Sequence, residues 1–87
     1  MATVFIPAQM RSVCGGCESA VVAGTNVKEL IDGLEQRFPG IRAMLVEGYD
    51  LRPSIAVSVD GEIATSGLLE PVSTDSEVYF VPAIAGG

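Results

Sequence analysis

One amphipathic helix constrains the fold of this chain more than any other segment. In residues 25–40 (TNVKELIDGLEQRFPG), apolar side chains recur at helical spacing and form one stripe of Val27, Leu30, Ile31, Leu34 and Phe38. Asn26 is suited to the N-cap, and Glu29 three residues later predicts a capping box. Gly33 lies off the stripe, and a glycine inside a helix lowers helix stability by about 1 kcal/mol relative to alanine. The sequence offers no reason for a glycine at this position.

Short apolar runs predict a sheet against which this helix packs. Two runs precede the helix, at residues 3–6 (TVFI) and 18–22 (ESAVV), and EVYFVP at residues 77–82 follows it. Between them SIAVSVDGEIATS predicts a hairpin, because Asp60-Gly61 favours a type I′ turn. The segment RSVCGGCES, with two glycines at its centre, predicts a loop or hairpin turn.

The predicted order of elements is β-β-α-β-β-β, which is that of the β-grasp arrangement. One helix cannot bury its stripe alone, so we expect an α+β fold in which it packs across one face of a mixed sheet of four to five strands. In that arrangement the first and last strands pair in parallel at the centre. We therefore expect a domain over residues 1–82 and a flexible Gly-Gly tail over residues 83–87.

Charge and residue types exclude several classes of function. The chain has 87 residues, with five Lys plus Arg against eleven Asp plus Glu, for a net charge of −6. This balance argues against binding nucleic acid and suits partners with basic grooves, or it serves only to keep the protein soluble. No histidine is present, which excludes Ser-His triads and His-ligated metals.

Nothing in the sequence predicts a membrane segment. No apolar run approaches the ~20 residues that a spanning helix needs. The first residues, MATVFIPAQMRS, lack the basic region and the cleavage site of a secretory signal. We therefore predict a cytoplasmic protein without membrane partners.

The sequence ends in PAIAGG, and this ending suggests a chemical role for the terminus. Gly86 and Gly87 carry no Cβ, so the tail can thread a narrow channel and adopt any backbone angle there. An α-carboxylate is ionised at neutral pH and able to attack an activated phosphate. The alternative is a terminus that is merely frayed.

Four segments carry a resemblance to a known family: VFIPAQMR, VKELIDGLEQRFPGI, LRPSIAVSVDG and EVYFVPAIAGG. Over nearly its whole length the chain resembles the ubiquitin-like sulfur carriers of the MoaD/ThiS type. Among their branches it looks most like the carrier for cysteine synthesis. The family often has DGDEV before the last strand, whereas this chain has TDSEV; Asp75 tolerates positive φ, so the turn is expected to survive.

The resemblance implies a mechanism in which the protein is a cosubstrate and not an enzyme. An ATP-dependent activating enzyme adenylates the Gly87 carboxylate, a sulfur donor converts it to a thiocarboxylate, and a sulfur-acceptor synthase draws the sulfur into molybdopterin, thiamine, cysteine or a related metabolite. The carrier then binds no cofactor, the partner uses the ATP, and the carrier could serve as the small subunit of the synthase. The residues that would enter the channel of the activating enzyme are Pro82, Ala83, Ile84, Ala85, Gly86 and Gly87.

The last strand predicts which face of the sheet meets these partners. Alternation along EVYFVP places Val78 and Phe80 on one side and Tyr79 and Val81 on the other. We expect the first pair to pack on the helix and the second pair to face partners. The alternative is that a central strand buries all four side chains.

Cys14-Gly15-Gly16-Cys17 is the competing motif. Such a CxxC sequence serves as a redox pair or as half of a four-cysteine zinc site. The motif opens no predicted helix, and a zinc site would need a second chain, so a glycine-rich turn with incidental thiols is favoured. Three hypotheses follow: a sulfur carrier, a ubiquitin-like modifier that forms isopeptides through Gly87, and a redox or metal module at Cys14 and Cys17.

Overall fold

The strands pair into one five-stranded mixed sheet, with the helices packed on one face. The structure is a computed structural model and describes residues 1–82. Its strands are β1 (Ala2–Phe5), β2 (Ser19–Val22), β3 (Val46–Glu47), β4 (Asp50–Leu51), β5 (Ile55–Val59), β6 (Glu62–Ile63) and β7 (Glu77–Pro82). Its helices are α1 (Val27–Arg37) and α2 (Ile41–Leu45), with 3-10 helices at Ala8–Cys14 and Gly67–Leu69.

The strand order confirms the predicted topology. The main sheet runs β2-β1-β7-β5-β6, so the first and last strands lie side by side at its centre, and they are parallel. The β5–β6 hairpin turns at Asp60 (φ 52°) and Gly61 (φ 89°), and both angles are positive, as a type I′ turn requires. A small second hairpin, β3–β4, was not predicted.

The core lies between α1 and the inward face of the sheet. Four of the five stripe residues are buried, and Phe38 at the end of α1 is half-buried. They meet Val4, Val57 and Val78 of the three central strands. Within residues 1–82, neither α-helix is long and apolar enough to cross a bilayer.

The turns before β2 and β7 differ in how well the sequence predicted them. Residues 8–14 form a 3-10 helix and not a simple loop, because Met10 and Val13 turn inward to pack against the core. Asp75 has a φ of 73°, so the turn before β7 does survive the replacement of glycine. Its N–H donates to the carbonyl oxygen of Met1 at 2.9 Å, which joins the turn to the start of β1.

The structure supplies a reason for Gly33. A Cβ built at this position would lie 2.5 Å from Cγ1 of Val22, far inside van der Waals contact. Val22 is a buried, β-branched residue of β2 and has little rotamer freedom with which to move aside. Gly33 therefore permits α1 to pack closely on β2.

We expect Gly33→Ala to destabilise the protein despite the better helix propensity of alanine. Overpacking of this kind costs about 1–3 kcal/mol, against a propensity gain of about 1 kcal/mol. Chemical denaturation of the variant should show a net loss of unfolding free energy. Gln36→Ala, at an exposed position of the same helix, is the matched control and should be close to neutral. A more stable Gly33→Ala protein would contradict the close packing.

Two glutamates of α1 hold helix ends through their carboxylates. Asn26 caps α1 as predicted, since its side-chain oxygen accepts from the Glu29 N–H at 2.9 Å. The Glu29 carboxylate accepts from the N–H and the hydroxyl of Thr25, not from Asn26, so the reciprocal half of the capping box lies one residue earlier than predicted. The Glu35 carboxylate accepts from the N–H groups of Gly40 and Arg42 and so caps α2.

These hydrogen bonds make stability depend on pH. The backbone N–H groups of Arg42 and Gly40 lower the pKa of Glu35 below its ordinary value of 4.5. Because the pKa is lower in the folded state, the stabilisation is fully present above about pH 4.5 and is lost as the pH falls through the folded pKa. We expect Glu35→Gln to lower the melting temperature at neutral pH.

The difference in melting temperature between Glu35→Gln and wild type should narrow as the pH falls below the ordinary glutamate pKa of 4.5. Thermal unfolding followed by circular dichroism across this range provides the measurement. Glu62→Gln, on the exposed strand β6, is the control and should leave the melting temperature unchanged. A difference that does not vary with pH would show that the charge of Glu35 has no part in the cap.

Candidate functional site

The central strand β7 presents different side chains to the two faces of the sheet. Val78 and Phe80 are buried in the core, as predicted. Tyr79 is 39% exposed on the opposite face, and Val81 beside it is half-buried. The alternative, that the central strand buries all four side chains, is therefore wrong for Tyr79. That Tyr79 and Val81 contact partner proteins stays a prediction.

An aromatic pair marks the centre of this outward face. The rings of Phe5 and Tyr79 are stacked, with centroids 4.3 Å apart and planes within 3° of parallel. They meet because β1 and β7 pair in parallel with Phe5 opposite Tyr79. Sequence reasoning missed Phe5, although its place next to the inward-facing Val4 signals an outward side chain.

Apolar side chains extend from this pair to both edges of the sheet. Along the register, Ile63 of β6 lies on the same face as Tyr79, and Val21 of β2 lies on the same face as Phe5. Ile63 is 61% exposed and Val21 is 50% exposed. We call the outward face of the main sheet, which carries Phe5, Tyr79, Val21 and Ile63, the open face. A face of this composition is typical of a surface that binds another protein.

A shallow groove crosses one end of the open face. Its volume is about 390 Å³, and its lining includes the aromatic pair together with Pro7, Arg11 and Glu18. Arg11 is fixed at the rim because its Nε–H donates to the carbonyl oxygen of Ile6 at 3.2 Å. The groove therefore combines an aromatic floor with one positive and one negative side chain.

Charged side chains occur on both sides of the molecule. On the helix side, Lys28 and Arg42 contact Asp32, and Arg52 contacts Glu47. Exposed carboxylates also occur along the sheet, at Glu18, Asp60, Glu62 and Glu77. Of the two that lie within strands, Glu77 shares the face of Tyr79, whereas Glu62 alternates with Ile63 and lies on the other face. In the part of the chain that the structure describes, Arg11 is the basic residue that lines the groove.

Strand β7 ends at Pro82, the last residue that the structure describes. Pro82 pairs with Ile55 of β5, at the end of the sheet where Pro7 follows β1. A cavity of about 280 Å³ lies there between the two neighbouring segments, lined by Pro7, Gln9, Met10, Ser54 and Ile55. The predicted channel residues Ala83, Ile84, Ala85, Gly86 and Gly87 lie outside the described residues. Their roles, and that of Pro82, stay predictions.

The two cysteines lie together at the end of the first 3-10 helix and in the turn that follows it. Cys14 ends the first 3-10 helix and is joined to Cys17 as a disulfide, with a Cα–Cα distance of 5.7 Å. Gly15 (φ 71°) and Gly16 (φ 89°) form the intervening turn with backbone angles that favour glycine. Across residues 1–82, no three or more Cys, Asp or Glu side chains are grouped closely enough to hold a metal ion.

Comparisons with known proteins bear out this architecture. The model of the ThiS family matches residues 4–87. A chain in the crystal structure of the Amycolatopsis orientalis BexX/CysO complex is 37% identical, with a TM-score of 0.92 and 100% coverage of both chains. Mycobacterium tuberculosis CysO is 26% identical, with a TM-score of 0.88, and the match covers 97% of this chain and 100% of that one.

A more distant similarity concerns the fold alone. The small archaeal modifier protein SAMP1 from Methanosarcina acetivorans is 21% identical, with a TM-score of 0.80 and coverage of 99% of this chain and 95% of that one. The search of curated proteins finds no match. Together these similarities confirm the predicted β-grasp, ubiquitin-like fold.

Proposed function

Because this chain belongs to the ThiS family, we propose that it is a sulfur carrier whose C-terminal Gly87 is converted to a thiocarboxylate. The observation that carries the proposal is the extent of the family match, which runs from residue 4 to residue 87 and so includes the terminal glycines. The family assignment thus covers both the folded domain and the group on which the chemistry would occur.

The proposed reaction has two steps at the terminal carboxylate. A carboxylate oxygen attacks the α-phosphorus of ATP in the activating enzyme, and pyrophosphate leaves. Hydrosulfide delivered by the donor then attacks the acyl carbon and displaces AMP, and loss of the proton leaves a thiocarboxylate on Gly87. The carboxylate needs this activation because it is a poor electrophile until one oxygen becomes part of a good leaving group.

The carrier itself contributes a docking surface for the activating enzyme and a tail that fits the channel of that enzyme. The tail from Pro82 to Gly87 enters the channel of the activating enzyme, where Gly86 and Gly87 add no side-chain bulk. The open face docks on the enzyme and holds the terminus at the entrance. Aromatic side chains near the centre of an interface contribute strongly to binding, so we assign Tyr79 and Phe5 to its centre and Val81 to its margin.

Among sulfur-transfer pathways we favour cysteine synthesis over those of molybdopterin and thiamine. The support is the 37% identity, over the whole length of both chains, to a chain of a complex that contains CysO. That relative was crystallised with a protein partner, BexX, which agrees with a function in complexes. We propose further that the carrier works in the cytoplasm as a cosubstrate of its activating enzyme, its sulfur donor and its acceptor synthase, and binds no cofactor.

The intact mass of the protein tests this function. The full chain is incubated with its activating enzyme, ATP and a sulfur source, and fragmentation locates any change. A gain equal to the exchange of one oxygen for sulfur at Gly87 is the expected result. An unchanged mass despite ATP turnover would refute the proposal, and isopeptide conjugates on an immunoblot would instead indicate a protein modifier.

A further inference from the structure

We propose that Cys14 and Cys17 form a reversible dithiol/disulfide pair whose oxidation state sets the position of Arg11 at the rim of the groove. The family assignment does not require this pair, and the proposed sulfur chemistry at Gly87 does not use it. The redox equilibrium itself is independent of the proposed function. Its consequence for docking rests on the proposed function, because it assumes that partners contact the open face.

A chain of hydrogen bonds connects the cysteine turn to the groove. The Gly16 N–H donates to the carbonyl oxygen of Arg11 at 2.6 Å, so the turn that contains the cysteines closes onto Arg11. Arg11 in turn donates from Nε to the Ile6 carbonyl, and the Ile6 N–H donates to the backbone carbonyl oxygen of Glu18 at 2.8 Å. Cys14 and Cys17 lie between Arg11 and Glu18 in the chain, so the disulfide shortens the segment that these hydrogen bonds close, and its loss relaxes the backbone that carries Arg11.

The surroundings of the pair suit reaction with thiols. Both cysteines are half-buried, with one side against the core, while Gly15 and Gly16 between them are exposed. The Cα–Cα distance of 5.7 Å is within the range that disulfides adopt, so the bond forms without moving the backbone. In the cytoplasm, where we place this protein, protein disulfides are usually transient and not structural.

The reaction balances with a dithiol reductant as co-reactant. A thiolate of the reductant attacks one sulfur of the Cys14–Cys17 bond, and its second thiol then resolves the mixed disulfide. The carrier gains two electrons and two protons as two thiols, and the reductant leaves as a disulfide. Reduction frees the turn at residues 14–17 and loosens the seating of Arg11 beside Phe5 and Tyr79.

A redox titration of the folded, full-length protein tests the first part. The protein is equilibrated in dithiothreitol buffers of increasing reducing strength, quenched with an alkylating reagent and weighed intact. We expect no alkyl group on the oxidised protein and two groups added together as the buffer becomes reducing. Thiols that react only when circular dichroism shows unfolding, or that react one at a time, would overturn the proposal.

Nuclear magnetic resonance on the same samples tests the link to the groove. Signals of Arg11 Nε–H and of the Phe5 and Tyr79 rings should shift in step with the mass change, whereas Ile63 at the far edge should stay constant. The double variant Cys14→Ser/Cys17→Ser is the control, and its spectrum should not respond to the buffer. Identical signals of Arg11, Phe5 and Tyr79 in the oxidised and reduced wild-type protein would refute the link between the cysteine pair and the groove.

Binding to the activating enzyme completes the test. We expect the affinities of the oxidised and reduced carrier to differ by at least about fivefold, the lower end of ordinary coupling between two sites. Equal affinities would overturn the effect on docking. If neither form yields a thiocarboxylate, the proposed sulfur chemistry fails, and the titration and the spectra still decide the redox pair separately.

Discussion

Deleting Gly87 is expected to abolish thiocarboxylate formation while the domain stays folded. The deletion moves the terminal carboxylate back by one residue, about 3.3–3.6 Å along an extended chain. A misplacement of only 1 Å can cost about 100-fold in rate, so we expect a loss of at least that size. Intact mass after incubation with the activating enzyme, ATP and a sulfur source measures the conversion.

A series of tail lengths makes this test specific. Adding one glycine after Gly87 moves the carboxylate in the opposite direction and should be as damaging as the deletion. Gly87→Ala keeps the length and adds only a methyl group, so it should retain more activity than either. All three should unfold at the wild-type temperature, because β7 ends at Pro82 before the altered residues. A shortened tail that reacts at the wild-type rate would remove Gly87 from the mechanism.

Tyr79→Ala is expected to weaken binding to the activating enzyme by about 30-fold. This factor corresponds to about 2 kcal/mol, the threshold for a residue that dominates an interface. Tyr79 is suited to that role because it lies on the central strand, is 39% exposed and is held in place by stacking on Phe5. Isothermal titration calorimetry with the purified enzyme provides the measurement.

Tyr49→Ala is the matched control for this variant. Tyr49 is the same residue type, is 100% exposed, and lies in the β3–β4 turn outside the main sheet. Its removal should leave the affinity unchanged. Tyr79→Ala loses about 0.5–1.5 kcal/mol from the aromatic stack in addition to the apolar area that Tyr79 buries, and because Tyr79 lies outside the core both proteins should be folded at 25 °C. Equal losses of affinity in the two variants would show that the open face is not the docking surface.

Local patterns account for the parts of the fold that were predicted correctly. The stripe of α1, its N-cap Asn26 and the turn at Asp60-Gly61 each depend on residues within a few positions of one another. The bounds of β7 follow from an apolar run that ends at a proline. The parallel pairing of β1 and β7 was correct as well, because two strands, one helix and three further strands is the order of the β-grasp arrangement, in which the first and last strands pair in parallel.

The features that were missed depend on contacts between distant segments. Gly33 has no local explanation, because the atom that excludes a side chain there belongs to Val22 on another element. The 3-10 helix at Ala8–Cys14 follows from the inward packing of Met10, not from a helical pattern. Phe5 became part of the candidate site only through a strand more than 70 residues later in the chain.

The sequence by itself determined the type and order of most elements, because the spacing of apolar residues, helix capping and turn formation depend on neighbouring residues. Its segments also determined the family. Only the tertiary structure decided which side chains share the open face and how the cysteine turn connects to its groove. Those relations arise from strand register and from hydrogen bonds between segments such as Arg11 and Ile6. A shift of one residue in strand register would move every side chain of β7 to the opposite face of the sheet. The register of β7 against β1 therefore decides that Tyr79 stacks on Phe5.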